Sequence, residues 1–235
     1  MPTTPAVVVL VTGASGNLGR AVARAFEKNG ARLVLIDRRP EKLAAAFGAE
    51  SAARVFAGAD LLDRAQVERA AGIAIERFGR IDVLCNIAGG FRMGPPVHET
   101  PDGDWSFLFD VNVRTLLNAA RAVVPHMISS GGGKIINVGA AAALKGVAGM
   151  GAYCAAKSAV IRVTEAMAAE LRERNINVNC VLPTIIDTPE NRAAMPDADP
   201  ARWVSPDDLA QVFVFLASEE ARAIHGAALP VPALS

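Results

Sequence analysis

Short apolar runs recur along the chain at Ala6–Val11, Arg32–Ile36, Arg54–Ala57, Ile81–Cys85, Lys134–Val138, Asn177–Leu182 and Ala227–Val231. Val, Ile and Leu are frequent in them, and most lack polar alternation. Strands buried on both faces have this pattern, which predicts a parallel sheet covered by helices. Between the runs, apolar residues take helical spacing. Leu18, Val22, Ala25 and Phe26 share one face of a predicted helix Asn17–Asn29, and Val67, Ala70, Ala71 and Ala74 share one of Asp63–Phe78. Further helices are predicted at Asp104–Ser130, Gly151–Arg174 and Ser205–Ala217. Strand and helix alternate about six times, so the expected fold is α/β. The architecture is a doubly wound parallel sheet of about seven strands with helices on both faces.

Two long loops follow strands, Gly89–Gly103 and Pro183–Val204, the second carrying Pro183, Pro189, Pro196 and Pro200. Long loops in a compact domain are usually functional, and such sheets bind ligands at their C-terminal edge. No repeat, low-complexity tract or linker interrupts the 235 residues, so 1–235 reads as one domain with a substrate loop at about 184–204.

Composition narrows the function. Hydrophobic residues make up 51% and charged residues 20%, which excludes an intrinsically disordered chain. Twenty-four basic side chains balance 24 acidic ones, so the basic excess of a nucleic-acid binder is missing. Cys85, Cys154 and Cys180 make no CxxC pattern, and an odd count fits a reducing cytoplasm. The first apolar run is too short to cross a bilayer, and no basic segment precedes it, so neither a membrane anchor nor a signal peptide is expected. His98, His126 and His225 are scattered without metal-ligand spacing, so no metal site is expected.

Thr12-Gly13-Ala14-Ser15-Gly16-Asn17-Leu18-Gly19 links the first strand to the first helix. Glycines allow a tight turn and close approach to a diphosphate, while the helix N-terminus offers free N–H groups and a positive dipole end. A glycine triplet alone fits a plain structural turn equally well; the strand–turn–helix context favours dinucleotide binding. Asp37 ends the second strand, where a carboxylate accepts hydrogen bonds from ribose hydroxyls and disfavours a 2′-phosphate. That favours NAD. Arg38 and Arg39 follow it and could neutralise Asp37 and hold a 2′-phosphate, which leaves NADP open.

Tyr153 is the only tyrosine, and Lys157, one of five lysines, lies four residues later on a predicted helix. The pair shares one helical face. Hydride delivery to C=O or C=N needs a proton donor beside the receiving atom. A free phenol titrates near ~10, and a neighbouring ammonium is expected to lower that value. An ordinary tyrosine–lysine helix pair is the structural alternative.

Together these residues are similar to the short-chain dehydrogenase/reductase family over nearly the whole chain, which implies a Rossmann-type fold, a nicotinamide cofactor and a small-molecule substrate. The glycine turn supplies Gly13, Ser15, Asn17, Leu18 and Gly19. Asp60, followed by Leu61, resembles the family's aspartate beside the adenine ring. Asn86-Ile87-Ala88-Gly89 resembles its motif after the fourth strand, adding Asn86, Ala88 and Gly89 to the cofactor set. Asn112 matches the asparagine that anchors a relay water, and Tyr153-Cys154-Ala155-Ala156-Lys157 matches the active-site motif. Pro183 opens the segment that contacts the nicotinamide, with Ile186 and Thr188 following. The resemblance implies Tyr153, Lys157 and Asn112 as catalytic residues. It also implies a homodimer or homotetramer built on the helices Asp104–Ser130 and Gly151–Arg174.

The chain departs from the family in three places. Gly16 stands one place early in the glycine turn, with Asn17 in the usual slot, and Pro183 is followed by Thr184 rather than glycine. Most importantly, the family's catalytic serine, 13 residues before the tyrosine, falls on Ala140, and no hydroxyl lies between Ser130 and Tyr153. Removing such a donor ordinarily slows carbonyl reduction by orders of magnitude.

The segment Gly139–Met150 and the stretch Leu182–Asp199 resemble the dihydropteridine-reductase-like subgroup, which also lacks the serine and reduces a quinonoid dihydropterin. An activated cyclic C=N or C=O acceptor is therefore expected, held by Gly90, Phe91, Ala140, Met150 and Asn191. Two alternatives stay open. One is a general alcohol dehydrogenase or ketoreductase in which water replaces the hydroxyl. The other is an inactive dinucleotide sensor or scaffold, against which the retained Tyr153, Lys157 and Asn112 argue.

Overall fold

A computed structural model describes residues 6–235; residues 1–5 of the expected domain lie outside that range. Seven strands form one parallel sheet: β1 (Val8–Thr12), β2 (Arg32–Asp37), β3 (Arg54–Gly58), β4 (Val83–Asn86), β5 (Gly133–Val138), β6 (Ile176–Pro183) and β7 (Ala228–Val231). Their order is β3-β2-β1-β4-β5-β6-β7. Winding proceeds outward from β1 in one direction and then from β4 in the other. The crevice between β1 and β4 is therefore the switch point at which such sheets bind ligands.

Alternation along the strands divides the core. Val9, Val11, Leu33, Leu35 and Cys85 face helices α1 (Asn17–Lys28) and α8 (Pro206–Ala217), where Phe26 and Phe213 are buried. Leu10, Val34, Ile36, Leu84 and Ile135 face the other layer, with α3 (Arg64–Phe78), α5 (Thr115–Ser129) and α6 (Gly151–Leu171). Side chains of period 2 supply both layers, which explains the lack of polar alternation in the runs. The ends of α3 are set locally. Asp63 accepts a hydrogen bond from the Gln66 N–H at its start, and Gly79 closes it in the left-handed conformation.

Three elements differ from expectation. Helix α2 (Pro40–Phe47) fills a stretch without a predicted element; Leu43 is its buried residue, so its apolar periodicity is slight. The single helix expected over Asp104–Ser130 divides into α4 (Asp102–Phe109), a π-helical turn at Asp110–Arg114 and α5. The substrate loop contains a short helix α7 (Pro189–Ala194), capped by Thr188, and its base is closed by a parallel bridge between Ile186 and Val204. Trp203 is buried at that base, a core role. Among the described residues no helix is long and apolar enough to cross a membrane, and no cluster of His, Cys, Asp or Glu suits a metal ion.

Candidate active site

A cleft of about 950 Å³ opens at the switch point. Its walls include Gly13, Ser15, Asn17, Leu18, Gly19, Asp37, Arg38, Asp60, Leu61, Ala88, Gly89 and Thr188, which sequence reasoning singled out. The glycine turn is shaped for close backbone approach. Gly13 has φ of +64°, and a Cβ there would lie 2.9 Å from Ala88 Cα. The turn is closed by the Gly16 N–H donating to Gly13 O (3.1 Å). Gly16 caps α1 without a side-chain hydrogen bond, so the first-turn N–H groups face the cleft as an anion site. This cradle, with the carboxylate of Asp37 at its far side, fits a dinucleotide.

Asp37 is not neutralised by the arginines. Its Oδ2 accepts from the Ser15 hydroxyl (2.7 Å) and main-chain N–H (3.3 Å), and its Oδ1 accepts from the Arg39 N–H (3.3 Å). Arg38, Arg39 and Lys42 line the cleft with exposed side chains. Asp60 Oδ1 holds the turn beneath the cleft by accepting from Leu62 N–H (2.9 Å).

At the inner end stands Lys157. Its ammonium is buried and donates to Val138 O (2.8 Å). Neither Lys157 nor Tyr153 forms part of the cleft wall; Lys157 stands behind Gly89, which does, and a Cβ on Gly89 would lie 3.4 Å from Nζ and 2.9 Å from Asn112 Oδ1. A larger residue at Gly89 would have to displace the Asn112 amide. One turn earlier on α6, the Tyr153 ring meets Phe91 edge-on, with centroids 4.9 Å apart. Burial lowers the Lys157 ammonium to about 8, opposed by the electrostatic influence of Cys180. Burial also pushes the Tyr153 phenol up to about 12, and Cys154 adds to the rise. The expected acidified phenol is thus corrected: desolvation dominates, and the phenol stays protonated at neutral pH.

Several expected site residues are used elsewhere. Asn112 lies in the π-helical turn, a device common at functional sites. Both its amide hydrogens are used: Nδ2 donates to Gly90 O (3.0 Å) and Leu108 O (2.9 Å), while Oδ1 accepts from Gly90 N–H (3.2 Å). Asn86 does not line the cleft but turns into the sheet, donating to Asn137 Oδ1 (2.9 Å). Pro183 and Ile186 are likewise off the cleft wall, the first paired with β7 and the second in the loop's closing bridge. Asn191 donates to Ile186 O (2.8 Å), a contact within its own loop. The turn Ala141–Leu144 follows Ala140, which is buried, and Ser158 fixes that turn by donating to Ala143 O (2.7 Å).

Arg20, Ala45, Ala46, Asp110, Thr115 and Glu190 also line the cleft without having been singled out. Arg20 could have been found from its place one turn into α1. Glu190 carries no local signal, because the approach of α7 to α1 is tertiary.

Residues 7–199 match the short chain dehydrogenase family. D-threitol dehydrogenase of Mycolicibacterium smegmatis is 35% identical over 236 residues, covering 95% of this chain and 90% of its own. Carveol dehydrogenase from Mycobacterium avium in complex with NAD superposes with a TM-score of 0.88 at 28% identity, over 98% of this chain and 97% of its own. Gluconate 5-dehydrogenase from Burkholderia cenocepacia in complex with NADP and tartrate gives a TM-score of 0.88 at 32% identity, over 98% and 95%.

Proposed function

The chain belongs to the short-chain dehydrogenase family, and from that premise we propose that it is a cytoplasmic NAD(P)-dependent oxidoreductase with Tyr153 as its proton donor. The observation that carries the reading is the place of Lys157 directly behind Gly89 of the cleft wall, one helical turn from Tyr153. When bound, a reduced nicotinamide supplies hydride. Tyr153 supplies the proton; burial holds that proton more tightly than on a free phenol, so its transfer depends on the positive charges of Lys157 and the oxidised nicotinamide favouring the phenolate left behind. Lys157, anchored on Val138 O, presents its charge at the boundary of cleft and substrate site and orients the ribose side of the cofactor. Asn112 acts through its clamp on Gly90, which fixes the loop next to Gly89 of the cleft wall. Asp37 favours NAD over NADP, because a carboxylate held by Ser15 repels a 2′-phosphate.

The substrate side is apolar. Ala140 offers no hydroxyl, and Phe91, Met93 and Val97 project exposed hydrocarbon from the facing loop. That loop is tied to the segment after Ala140 by the Gly94 N–H donating to Gly149 O (2.8 Å). Nearby arginines are already engaged: Arg92 pairs with Asp104 (2.6 Å) and lies 3.8 Å over the Phe107 ring, and Arg192 pairs with Asp187 (2.6 Å). These features suit an uncharged, flat, activated acceptor that needs hydride and one proton without a second hydrogen-bond donor. A quinonoid dihydropterin is such an acceptor and links the chain to the dihydropteridine-reductase-like subgroup.

A second reading is a general alcohol dehydrogenase with water in place of the serine hydroxyl. Its support is the similarity to D-threitol dehydrogenase. Oxidation of NADH measured across quinonoid dihydropterin, cyclic imines, quinones and simple ketones, and repeated with NADPH, separates the two. Turnover confined to the activated acceptors supports the first reading. Ketone turnover with the pterin inert overturns it in favour of the second.

A further inference from the structure

Helix α7 of the substrate loop touches the glycine turn through one side chain. Glu190 Oε2 accepts from Asn17 Nδ2 at 2.7 Å, and Asn17 Oδ1 in turn accepts from Arg20 Nη2 at 2.6 Å. Asn17 is the first residue of α1, and Glu190 lines the same cleft as Gly13, Ser15 and Gly16. A carboxylate therefore stands at the mouth of the anion cradle, over a helix start that has no side-chain cap of its own. Asn17, the departure from the usual glycine spacing, is what makes this contact. Arg20 is the cation that reaches the cluster through Asn17; Arg38, Arg39 and Lys42 line the same cleft without reaching it.

We propose that Glu190 is an anionic gate on the dinucleotide site. Its carboxylate and the cofactor's diphosphate compete for the same ground at the start of α1, so the protein binds its cofactor less tightly and releases it faster than the cradle alone dictates. The bond to Asn17 ties α7 to the turn, and an arriving diphosphate repels Glu190 and loosens that tie. Cofactor exchange and substrate-loop movement are then coupled through one side chain. The gate rests on the dinucleotide reading of the cleft.

The test is a charge series at an exposed position, where Glu190→Gln keeps the shape and the hydrogen-bonding capacity. Binding of NADH, ADP-ribose and adenosine is measured by titration calorimetry, with NADH dissociation by stopped flow. Glu190→Gln is expected to bind NADH and ADP-ribose about fivefold more tightly and to release NADH more slowly, with adenosine unchanged. Glu190→Lys extends the trend, and raised salt narrows the differences. Equal or weaker binding of NADH by Glu190→Gln overturns the gate, as does an equal shift for adenosine, which carries no phosphate. Wild-type protein that binds neither NADH nor NADPH removes the dinucleotide reading and the gate together. Wild-type binding with an unaltered Gln variant removes the gate alone.

Discussion

Lys157 is a buried cation whose hydrogen-bond acceptor is a main-chain carbonyl. Its ammonium sheds its proton as pH rises through about 8, while the Tyr153 phenol keeps its own to about 12. Reduction is therefore expected to lose kcat/KM above about pH 8 through Lys157, with no loss from Tyr153 in that range; a pH–rate profile reads this. The same shift has a thermodynamic sign. Between about 8 and the ordinary 10.5, the unfolded lysine holds a proton that the native one lacks. The Lys157 contribution to stability thus rises with pH across that window. Lys157→Met should abolish turnover yet raise Tm by about 2–4 °C, because an apolar side chain replaces a desolvated charge. Tyr153→Phe should keep NADH affinity and lower kcat by about 10²–10⁴-fold; unchanged turnover would remove the mechanism. The Tyr153–Lys157 pair was legible because its spacing is local. The rise of the phenol was not, since burial comes from α4, α6 and the Phe91 loop meeting in space.

Helices and strands with strong periodicity were legible in the sequence, and those with weak periodicity were not. Helix α2 buries Leu43 alone, so its apolar pattern gave little to read, although Pro40 at its start and Gly48 beyond its end mark its limits. The π-helical turn was not read from the sequence, where Asp104–Ser130 takes the spacing of one continuous helix. It aims Asn112 at Gly90, and Asn112→Ala should free that loop, lowering kcat more than cofactor affinity. The glycine turn tolerates little change. In Gly13→Ala, the left-handed φ and the contact with Ala88 both oppose the methyl group. Such a variant should lose at least about 1–3 kcal/mol of stability in a denaturant melt, together with cofactor binding.

A doubly wound parallel sheet of about seven strands was legible from the apolar runs, whereas the strand order that puts the switch point between β1 and β4 is set by which strands pair in space. The cleft walls were legible where they are strand ends and the turn. They were not where remote elements converge, as with Glu190 of α7 and Asp110 of the π-helical turn. Dinucleotide binding across that crevice should stabilise the whole protein: NADH at 100 times its Kd adds about 2.7 kcal/mol, a rise of roughly 5–11 °C in Tm. We propose that a phenol alone, with alanine in place of the family's serine, suffices for an activated acceptor. The most direct test is NADH oxidation by wild type and Ala140→Ser on a quinonoid dihydropterin and on a simple cyclic ketone. Brisk wild-type turnover of the pterin and little of the ketone is expected, with the added hydroxyl raising only the ketone rate, by about tenfold or more. Equal gains on both acceptors, or a wild type that prefers the ketone, would contradict it.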